Sequence, residues 1–407
     1  MDAFFARQPI FDLAGTPVAY ELLYRANPDA MVATGDVAMM SAQVLCDAVL
    51  GMDLAVVTDS RPAFLNADRE ALVGGPLDLL DPSKVVIEIL ETVSPDDDVI
   101  EACERLTEAG HTIALDDFTE DDPRIVLAPW ASIVKVDVLD RTIPAAIELV
   151  KPFRDQGGRH VRLLAERVET KEVHDTCAAA GFELFQGYFY RRPELVHEKD
   201  LRPGQIQLIQ TMNLVRDDTV SDTRLGDHLK ADPTMAWKVV RMANVTALGS
   251  RPIESVRHAA AIVGREALFR WLSLMLAASY GRDTGFSREL LREALVRARM
   301  CESMADAAGL RPLGHFFLVG LFSKLDALLG VPLDTILGRV ALPDAITEAL
   351  IQRRGAYAPL LSLVETWESA DWDAVSDMAA AAAVPPRKLL AIYTQSLEWA
   401  LDVSRHL

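Results

Sequence analysis

Short apolar runs recur along the first half of the chain, and segments of helical length separate most of them. The runs are "FFARQPIF", "VAYELLYR", "PAFLNA", "KVVIEIL", "TIALDDF", "SIVKVDVL", "VRLLAERV" and "FELFQGYF". Apolar strands that alternate with helices are typical of a parallel sheet covered on both faces. Eight such runs predict a closed (β/α)8 barrel over residues 1–195.

The segments between the runs carry helix signals. In "SPDDDVIEACERLTEAG", Ser94 is expected to cap a helix, Pro95 to take its first position and Gly110 to end it. The first two runs differ, because only "DLAGTP" joins them and a crossover helix does not fit there. The first strand is therefore predicted to run antiparallel to the second.

The pattern changes after the last run. A linker is predicted over residues 196–204, within "RRPELVHEKDLRPG". Beyond it, apolar residues recur at helical spacing without strands, as in "FSRELLREALVRARMCESMADAAGLRP". We predict an all-helical second domain over residues 205–407.

Charge is placed unevenly along the chain. The net charge of −19 lies wholly in residues 1–200, because the remaining residues hold equal numbers of acidic and basic side chains. So acidic a surface is expected to repel nucleic-acid polymers and anionic membranes. No apolar segment reaches the ~20 residues that span a bilayer, and "MDAFFARQPIF" does not resemble a signal peptide. With scattered cysteines and no C-x-x-C pair, the sequence predicts a cytoplasmic protein with reduced thiols.

Most of the apolar runs are broken by a polar side chain at or near the end of the run. These side chains are Glu21, Asn66, Glu88, Asp116, Asp117, Lys135, Glu166 and Gln186. The carboxyl ends of barrel strands converge on one face, and that face carries the chemistry in barrels of this kind. The polar residues are therefore expected to form one carboxylate-lined bowl.

The bowl offers hard oxygen ligands, which suit Mg²⁺ or Mn²⁺ better than zinc. The candidate ligands from this reasoning are Glu21, Asn66, Glu88, Asp116 and Asp117. Two such ions can activate water and stabilise an in-line phosphoryl displacement. Lys135 could then orient the nucleophile or neutralise charge in the transition state.

Each of these residues also has a simpler explanation when it is taken alone. "LDD" is usually a turn or a helix cap, and Glu21 or Glu88 alone would be a strand residue in a salt bridge. Lys135 could pair with Asp137, and the Gln186-Gly187 pair could be a turn. The ordered recurrence of such residues across eight strands favours a shared site.

At these positions the sequence resembles the EAL family of cyclic di-GMP phosphodiesterases. The matching motifs are "RQPIF", "ELLYR" with Leu22 in place of the family's alanine, "FLN", "EILE", "LDDF", "KVD", "AERVE" and "QGYF". The resemblance implies that the five oxygen ligands bind metals, that Gln186 completes the site, and that Lys135 and Glu166 are catalytic. It further implies that Glu91 and Glu169 support the ligands, and that Gln8, Leu23 and Arg25 contact the dinucleotide.

One loop departs from that family. The D-D-F motif is followed by "TEDDPRIVLAP", with Thr119 where the family has glycine, a stiffening Pro123, and a path to Lys135 about two residues shorter. In the active members this loop supports the metals and the dimer interface. The departure favours weak or absent hydrolysis and leaves a homodimer open.

The helical part resembles the HDOD family, a relative of the HD metal phosphohydrolases. The resemblance rests on "ADPTMAWKVVRMANVTALGSRPIESVRHAAAIVGREAL" and "FFLVGLFSKLDALL". Ser323 and Lys324 take the places of the metal-binding His-Asp pair, and a lysine would repel a divalent cation. The helical domain is therefore expected to be non-catalytic, with His228, His258 and His315 as core or surface residues.

Three functions remain open from the sequence. The chain could be a Mg²⁺-dependent cyclic di-GMP phosphodiesterase, or a receptor that binds cyclic di-GMP while its helical domain relays the signal to protein partners. It could also be a scaffold with a degenerate barrel. The retained ligands favour the enzyme and the altered loop favours the other two; the receptor with weak or no hydrolysis to linear pGpG is preferred.

Overall fold

The computed structural model describes residues 3–26, 54–139, 143–154, 161–187, 201–231, 235–237, 239–240, 263–279 and 285–406. Within this chain two compact units are distinguished. The first comprises residues 1–194, 284–289 and 363–402, and the second comprises residues 195–283, 290–362 and 403–407. His258 lies outside the described residues, as does the side chain of Arg25.

Eight strands close into a barrel in chain order, β1 to β8. They are β1 Ala3–Asp12, β2 Pro17–Ala26, β3 Ala63–Ala67, β4 Val85–Ile89, β5 Thr112–Leu115, β6 Ala131–Asp137, β7 Arg162–Glu166 and β8 Leu184–Phe185. β1 pairs antiparallel with both β2 and β8, and the other neighbours pair parallel. The predicted barrel and its antiparallel first strand are thereby confirmed.

Helices follow most of the parallel strands, as the pattern of apolar runs predicted. In the first half they are α1 Leu54–Val57, α2 Arg69–Val73, α3 Asp97–Glu108, α4 Ile143–Arg154 and α5 Lys171–Ala179, with 3-10 turns at Pro76–Leu79 and Pro123–Leu127. The start of α3 was predicted two residues too early. Its cap is Asp96, which accepts a hydrogen bond from the Val99 amide at 3.0 Å, because an aspartate caps a helix as well as Ser94 would.

The barrel interior is filled by an apolar layer with one residue from each strand. Its members are Ile10, Ala19, Phe64, Val86, Ala114, Ile133, Leu164 and Leu184, all of them buried. A layer of this kind makes the barrel a packed core without a pore. The chemistry is therefore confined to the open end above it.

The outer face of β1 is covered by segments that are distant in sequence but belong to the same compact unit. Because a tight turn joins β1 to β2, no crossover helix covers this face. The Phe5 ring packs edge-on against Tyr393 at 5.3 Å, and Phe11 packs against Phe286 at 6.1 Å. The buried Arg7 pairs with Glu289 at 3.2 Å. Phe286, Glu289 and Tyr393 thus cover the outer face of β1 within the barrel unit.

The rest of the described chain is helical, as predicted. Its helices are α6 Pro203–Arg216, α7 Asp222–Lys230, α8 Arg265–Ala278, α9 Gly285–Ala307, α10 Leu313–Phe322, α11 Leu325–Leu329, α12 Leu333–Leu337, α13 Asp344–Ile351, α14 Ala358–Glu368, α15 Trp372–Ala381 and α16 Pro386–His406. Within the second unit, α8 packs against α6 and α10, and Leu272, Met212 and Phe317 on these helices are buried. In the part of the chain that the structure describes, no helix is both long and apolar enough to cross a membrane.

Candidate functional site

A polar layer lies next to the apolar layer, at the carboxyl end of the parallel strands. Side chains alternate between the two faces of a strand, so residues two positions apart share the interior face. A polar residue stands two positions away from each member of the apolar layer, either in the same strand or just past its end. The eight are Gln8, Glu21, Asn66, Glu88, Asp116, Lys135, Glu166 and Gln186. Strand periodicity alone therefore explains why they meet.

Lys135 lies at the centre of this layer, and its side chain is 1 % exposed. Its Nζ is 2.8 Å from Asp116 Oδ1 and 2.9 Å from Glu166 Oε1. It also lies 3.5 Å from Glu21 Oε2 and contacts Glu88 Oε1. One ammonium group thus contacts carboxylates from four different strand ends.

The charges in this layer shift one another's pKa values. Burial by itself would lower the pKa of Lys135, but the four carboxylates outweigh it and raise that pKa well above its ordinary value. Burial raises the pKa of Glu88 strongly, although Lys135 opposes the shift. Burial also raises the pKa of Glu166 to about 7, again against Lys135 and with repulsion from Asp116. Lys135 therefore neutralises only part of the negative charge that the carboxylates can carry.

Three acceptor oxygens of the layer are buried without a hydrogen-bond partner. They are Asn66 Oδ1, Glu88 Oε2 and Gln186 Oε1, while Gln186 Nε2 donates to Glu21 Oε2 at 2.6 Å. Buried acceptors of this kind call for a partner, and a hard divalent cation takes oxygen ligands. Among the described residues, no three His, Cys, Asp or Glu side chains are already spaced as a metal site. The donor set therefore fits a divalent cation that would compete with Lys135 for the carboxylates.

The contacts of single residues show whether each has a simpler role than a shared site. Asp137 pairs with Arg167, so Lys135 and Asp137 do not pair with each other as that alternative supposed. Asp116 is bonded to Lys135 and is neither a turn nor a cap residue. Glu21 and Glu88 do make salt bridges, as that alternative held, but their partner is Lys135 inside the barrel.

The other predicted site residues lie around the layer. Gln8 pairs in register with Glu21, and Leu23 is half-buried further along β2. Asp117 is half-buried in the left-handed region with φ of 41°. Glu91 and Glu169 are exposed in the segments after β4 and β7. The roles assigned to all these residues stay predictions.

Sequence reasoning missed two charged residues beside the layer. Arg124 is 1 % exposed and Asp122 is 5 % exposed, and the two side chains form an ion pair at 2.6 Å. Both lie in "TEDDPRIVLAP", which has the composition of a solvent-exposed loop. No local signal distinguishes an inward-facing arginine there, because its partners include main-chain carbonyl groups from two strand ends.

In the helical unit, Ser323 and Lys324, which the family resemblance aligns with a metal-binding His-Asp pair, bond to other side chains. Ser323 Oγ accepts a hydrogen bond from Arg297 at 2.8 Å, and Lys324 Nζ lies 2.6 Å from Glu293 Oε2. His228 Nε2 lies 3.0 Å from the Thr211 hydroxyl. His315 likewise contacts the Tyr357 hydroxyl at 2.8 Å, and burial lowers the pKa of His315.

Comparison with known proteins places family models on both halves of the chain. The EAL domain model matches residues 76–193, and the HDOD domain model matches residues 205–331. The chain is 29% identical over 405 residues to the cyclic di-GMP phosphodiesterase CdgJ of Vibrio cholerae, covering 99% of this chain and 93% of that protein. It is 27% identical over 406 residues to the uncharacterized protein YuxH of Bacillus subtilis, covering 98% of each.

Solved structures were also found. The PaMucR phosphodiesterase in complex with c-di-GMP has a TM-score of 0.37 at 22% identity, covering 46% of this chain and 95% of that one. BlrP1 of Klebsiella pneumoniae, in complex with calcium and cyclic di-GMP, has a TM-score of 0.38 at 24% identity, covering 46% and 55%. From the two family matches, the closed barrel and the helices that follow it, the chain carries an EAL domain followed by an HDOD domain.

Proposed function

We propose that this protein acts in cyclic di-GMP signalling, as a receptor whose barrel binds the dinucleotide together with divalent cations. The observation that carries the proposal is the polar layer, where three buried acceptor oxygens have no partner and four carboxylates share one ammonium group. A site with excess negative charge would bind an anionic dinucleotide only with cations between them. The matched EAL domain and the name of the Vibrio relative support cyclic di-GMP as the ligand.

The layer itself would supply the cation ligands. Glu21, Glu88 and Asp116 offer carboxylate oxygens, and Asn66 and Gln186 offer amide oxygens. Bound Mg²⁺ or Mn²⁺ would neutralise the phosphodiester and activate water. The predicted dinucleotide contacts are Gln8, Leu23 and Arg25.

Weak or absent hydrolysis is proposed because the loop after Asp117 departs from that of the active members of the EAL family, with Thr119 in place of glycine and with Pro123 in its path. Lys135 belongs to the "KVD" motif that this chain shares with those members, and it competes with cations for the carboxylates. Its ammonium is nearly buried and contacts all four carboxylates. A cation has to displace these contacts in order to bind, which lowers its apparent affinity. Low cation occupancy would weaken dinucleotide binding and hydrolysis alike, so the altered loop is what favours a receptor over an enzyme.

An active phosphodiesterase is the second candidate, favoured by the name of the Vibrio relative and by the retained oxygen ligands. In that case Glu166 would accept a proton, because bound cations would lower its raised pKa and keep the carboxylate charged. Lys135 would donate a hydrogen bond to the nucleophile or to a phosphate oxygen. A scaffold that binds no dinucleotide is the remaining alternative.

The HDOD domain is proposed to pass the signal to protein partners without catalysis of its own. The support is chemical: Ser323 and Lys324 stand where metal ligands would be needed, and Lys324 is occupied by Glu293. We also propose that the chain forms a homodimer, and a measurement of its mass in solution tests this.

Calorimetry of the full chain with cyclic di-GMP tests the proposal, first in Ca²⁺ and then in Mg²⁺ or Mn²⁺, with chromatography of the recovered nucleotide. We expect cation-dependent binding at tens of micromolar or tighter, with most of the nucleotide recovered intact. Rapid conversion to the linear dinucleotide, near ~1 s⁻¹, would favour the enzyme instead. No binding with any of the cations would leave the scaffold.

A further inference from the structure

The loop after β5 buries a charged side chain beside the polar layer. Arg124 Nε and Nη2 donate to the two carboxylate oxygens of Asp122 at 3.0 and 2.6 Å. The Asp122 carboxylate also accepts a hydrogen bond from the Arg124 amide at 2.8 Å. The guanidinium group is therefore fixed at its base by a bidentate, charge-assisted pair.

The rest of the guanidinium group reaches two strand ends. Nη1 donates to the Ile89 carbonyl at 2.9 Å, and Nη2 donates to the Asp116 carbonyl at 2.7 Å. The Ile89 carbonyl also accepts a hydrogen bond from the Asp116 amide at 3.0 Å, and Asp116 lies one residue past the last residue pair of β4 and β5, Ile89 and Leu115. Arg124 thus extends the β4–β5 ladder past its last main-chain hydrogen bond.

These two strand ends carry ligands of the polar layer. Glu88 immediately precedes Ile89, and Asp116 is itself bonded to Arg124 through its carbonyl group. Both carboxylates contact Lys135. By holding these two carbonyl groups, Arg124 fixes the main chain from which the side chains of Glu88 and Asp116 extend.

A buried ion pair is a poor way to gain stability alone, because removing both charges from water costs about as much as their attraction returns. Its geometry is nonetheless specific, since the planar guanidinium makes a bidentate fork to one carboxylate while its remaining donors reach two carbonyl groups. We propose that Arg124, held by Asp122, is a positioning residue that sets the separation of Glu88 and Asp116 for divalent cation binding. This inference rests on the proposed function.

The test is Mn²⁺ affinity of the full chain by titration calorimetry. Arg124→Lys keeps the positive charge but loses the bidentate fork to Asp122 and the span of the guanidinium, and we expect a loss of about 10-fold to 100-fold in Mn²⁺ affinity. Asp122→Asn preserves the shape of the side chain and loosens the guanidinium, with a smaller loss expected. Thermal unfolding establishes that each variant is folded at the assay temperature.

A matched control is Glu289→Gln, which weakens another buried arginine–carboxylate pair of the same unit, with Arg7. It is expected to lower stability while leaving Mn²⁺ affinity within about twofold. If folded Arg124→Lys binds Mn²⁺ as the natural chain does, or if Glu289→Gln loses as much affinity, the positioning role is overturned.

A readout without metal separates this inference from the proposed function. The Asp116 amide, bonded to the Ile89 carbonyl, should exchange its hydrogen about tenfold faster or more in Arg124→Lys, while amides at the amino end of β5 are unchanged. If the natural chain binds no Mn²⁺, the proposed function fails. The exchange rate of the Asp116 amide then still tests whether Arg124 fixes this strand end. An unchanged rate at Asp116 would then overturn the role of Arg124.

Discussion

Lys135 Nζ lies 2.9 Å from Glu166 Oε1, inside the barrel and between the ends of neighbouring strands. Four carboxylates meet there, and the chain supplies an ammonium group that contacts all of them. A divalent cation would therefore enter a site that already contains positive charge.

Replacing Lys135 with methionine should make the protein depend on divalent cations for stability. Without the ammonium group, the cation-free form should lose roughly 3–5 kcal/mol of its free energy of unfolding, because buried carboxylates are left unpaired. Mn²⁺ should then raise the free energy of unfolding more in Lys135→Met than in the natural chain. Chemical denaturation with and without Mn²⁺ measures both effects.

The control is Lys151→Met, since Lys151 is exposed and its partner Glu148 lies one turn away on α4. Its loss should stay within about 0.5 kcal/mol. Equal losses in the two variants, or a Mn²⁺ effect no larger than in the natural chain, would contradict the prediction.

The stability of the cation-free protein should fall as pH rises. Burial raises the pKa of Glu166 from 4.5 to about 7, so between these pH values the folded state holds a proton that the unfolded state has released. Rising pH then favours unfolding, and the contribution of Glu166 levels off above about pH 7.

Urea unfolding in the presence of a chelator, across this pH range, measures the slope. Other groups titrate in the same range, so the difference between the natural chain and Glu166→Gln is the diagnostic quantity. The two curves should converge at low pH, where Glu166 is neutral in both states, and separate as pH rises. Parallel curves would show that Glu166 keeps an ordinary pKa.

Gly187→Ala should disturb the site through the main chain. Gly187 has φ of 153°, and a Cβ there would clash with the amide and carbonyl of Val168. The Val168 amide donates to the Gln186 carbonyl at 3.0 Å, so the clash would displace Gln186 as well. We expect a loss of about 1–3 kcal/mol in the free energy of unfolding, together with weaker Mn²⁺ binding.

Gly204→Ala serves as the comparison for this substitution. Gly204 lies in the first turn of α6, and a Cβ there would meet no heavy atom within 4 Å. Its substitution should leave stability equal or slightly higher. Unaltered Mn²⁺ affinity in Gly187→Ala would rule out the proposed displacement of Gln186.

A fragment of residues 1–195 should be much less stable than the full chain. It would expose the outer face of β1, where Phe5 packs on Tyr393 and Arg7 pairs with Glu289. Thermal unfolding and binding of a hydrophobic dye compare this fragment with a chain that ends at residue 402 and retains both segments. Equal stability would show that residues 1–195 fold independently, as the sequence-based boundaries suppose.

The fold could be predicted largely because strand and helix periods are local properties. Eight apolar runs separated by helical segments identify the barrel, and the short "DLAGTP" connection identifies the antiparallel strand. Packing of Tyr393 and Glu289 on β1 could not be predicted, since it joins residues hundreds of positions apart. Helical periodicity in residues 363–402 says which face is apolar and nothing about what that face covers.

The residues of the site likewise differ in whether local sequence pattern or distant contacts determine their position. Glu21, Glu88, Asp116, Glu166 and Gln186 could be placed at one end of the barrel, because each interrupts an apolar run near its end. The central place of Lys135 among four carboxylates depends on side-chain length and direction. The inward turn of Arg124 depends on carbonyl groups of two other strand ends, which carry no sequence signal.

The packing of residues 363–402 on β1 also sets an order of events during synthesis. Domains usually fold as they leave the ribosome, amino-terminal part first. Here Tyr393 follows Arg7 of β1 by 386 residues and covers the same strand. The nascent barrel unit therefore has to wait for residues 363–402 to be made, with an apolar strand face exposed in the interval.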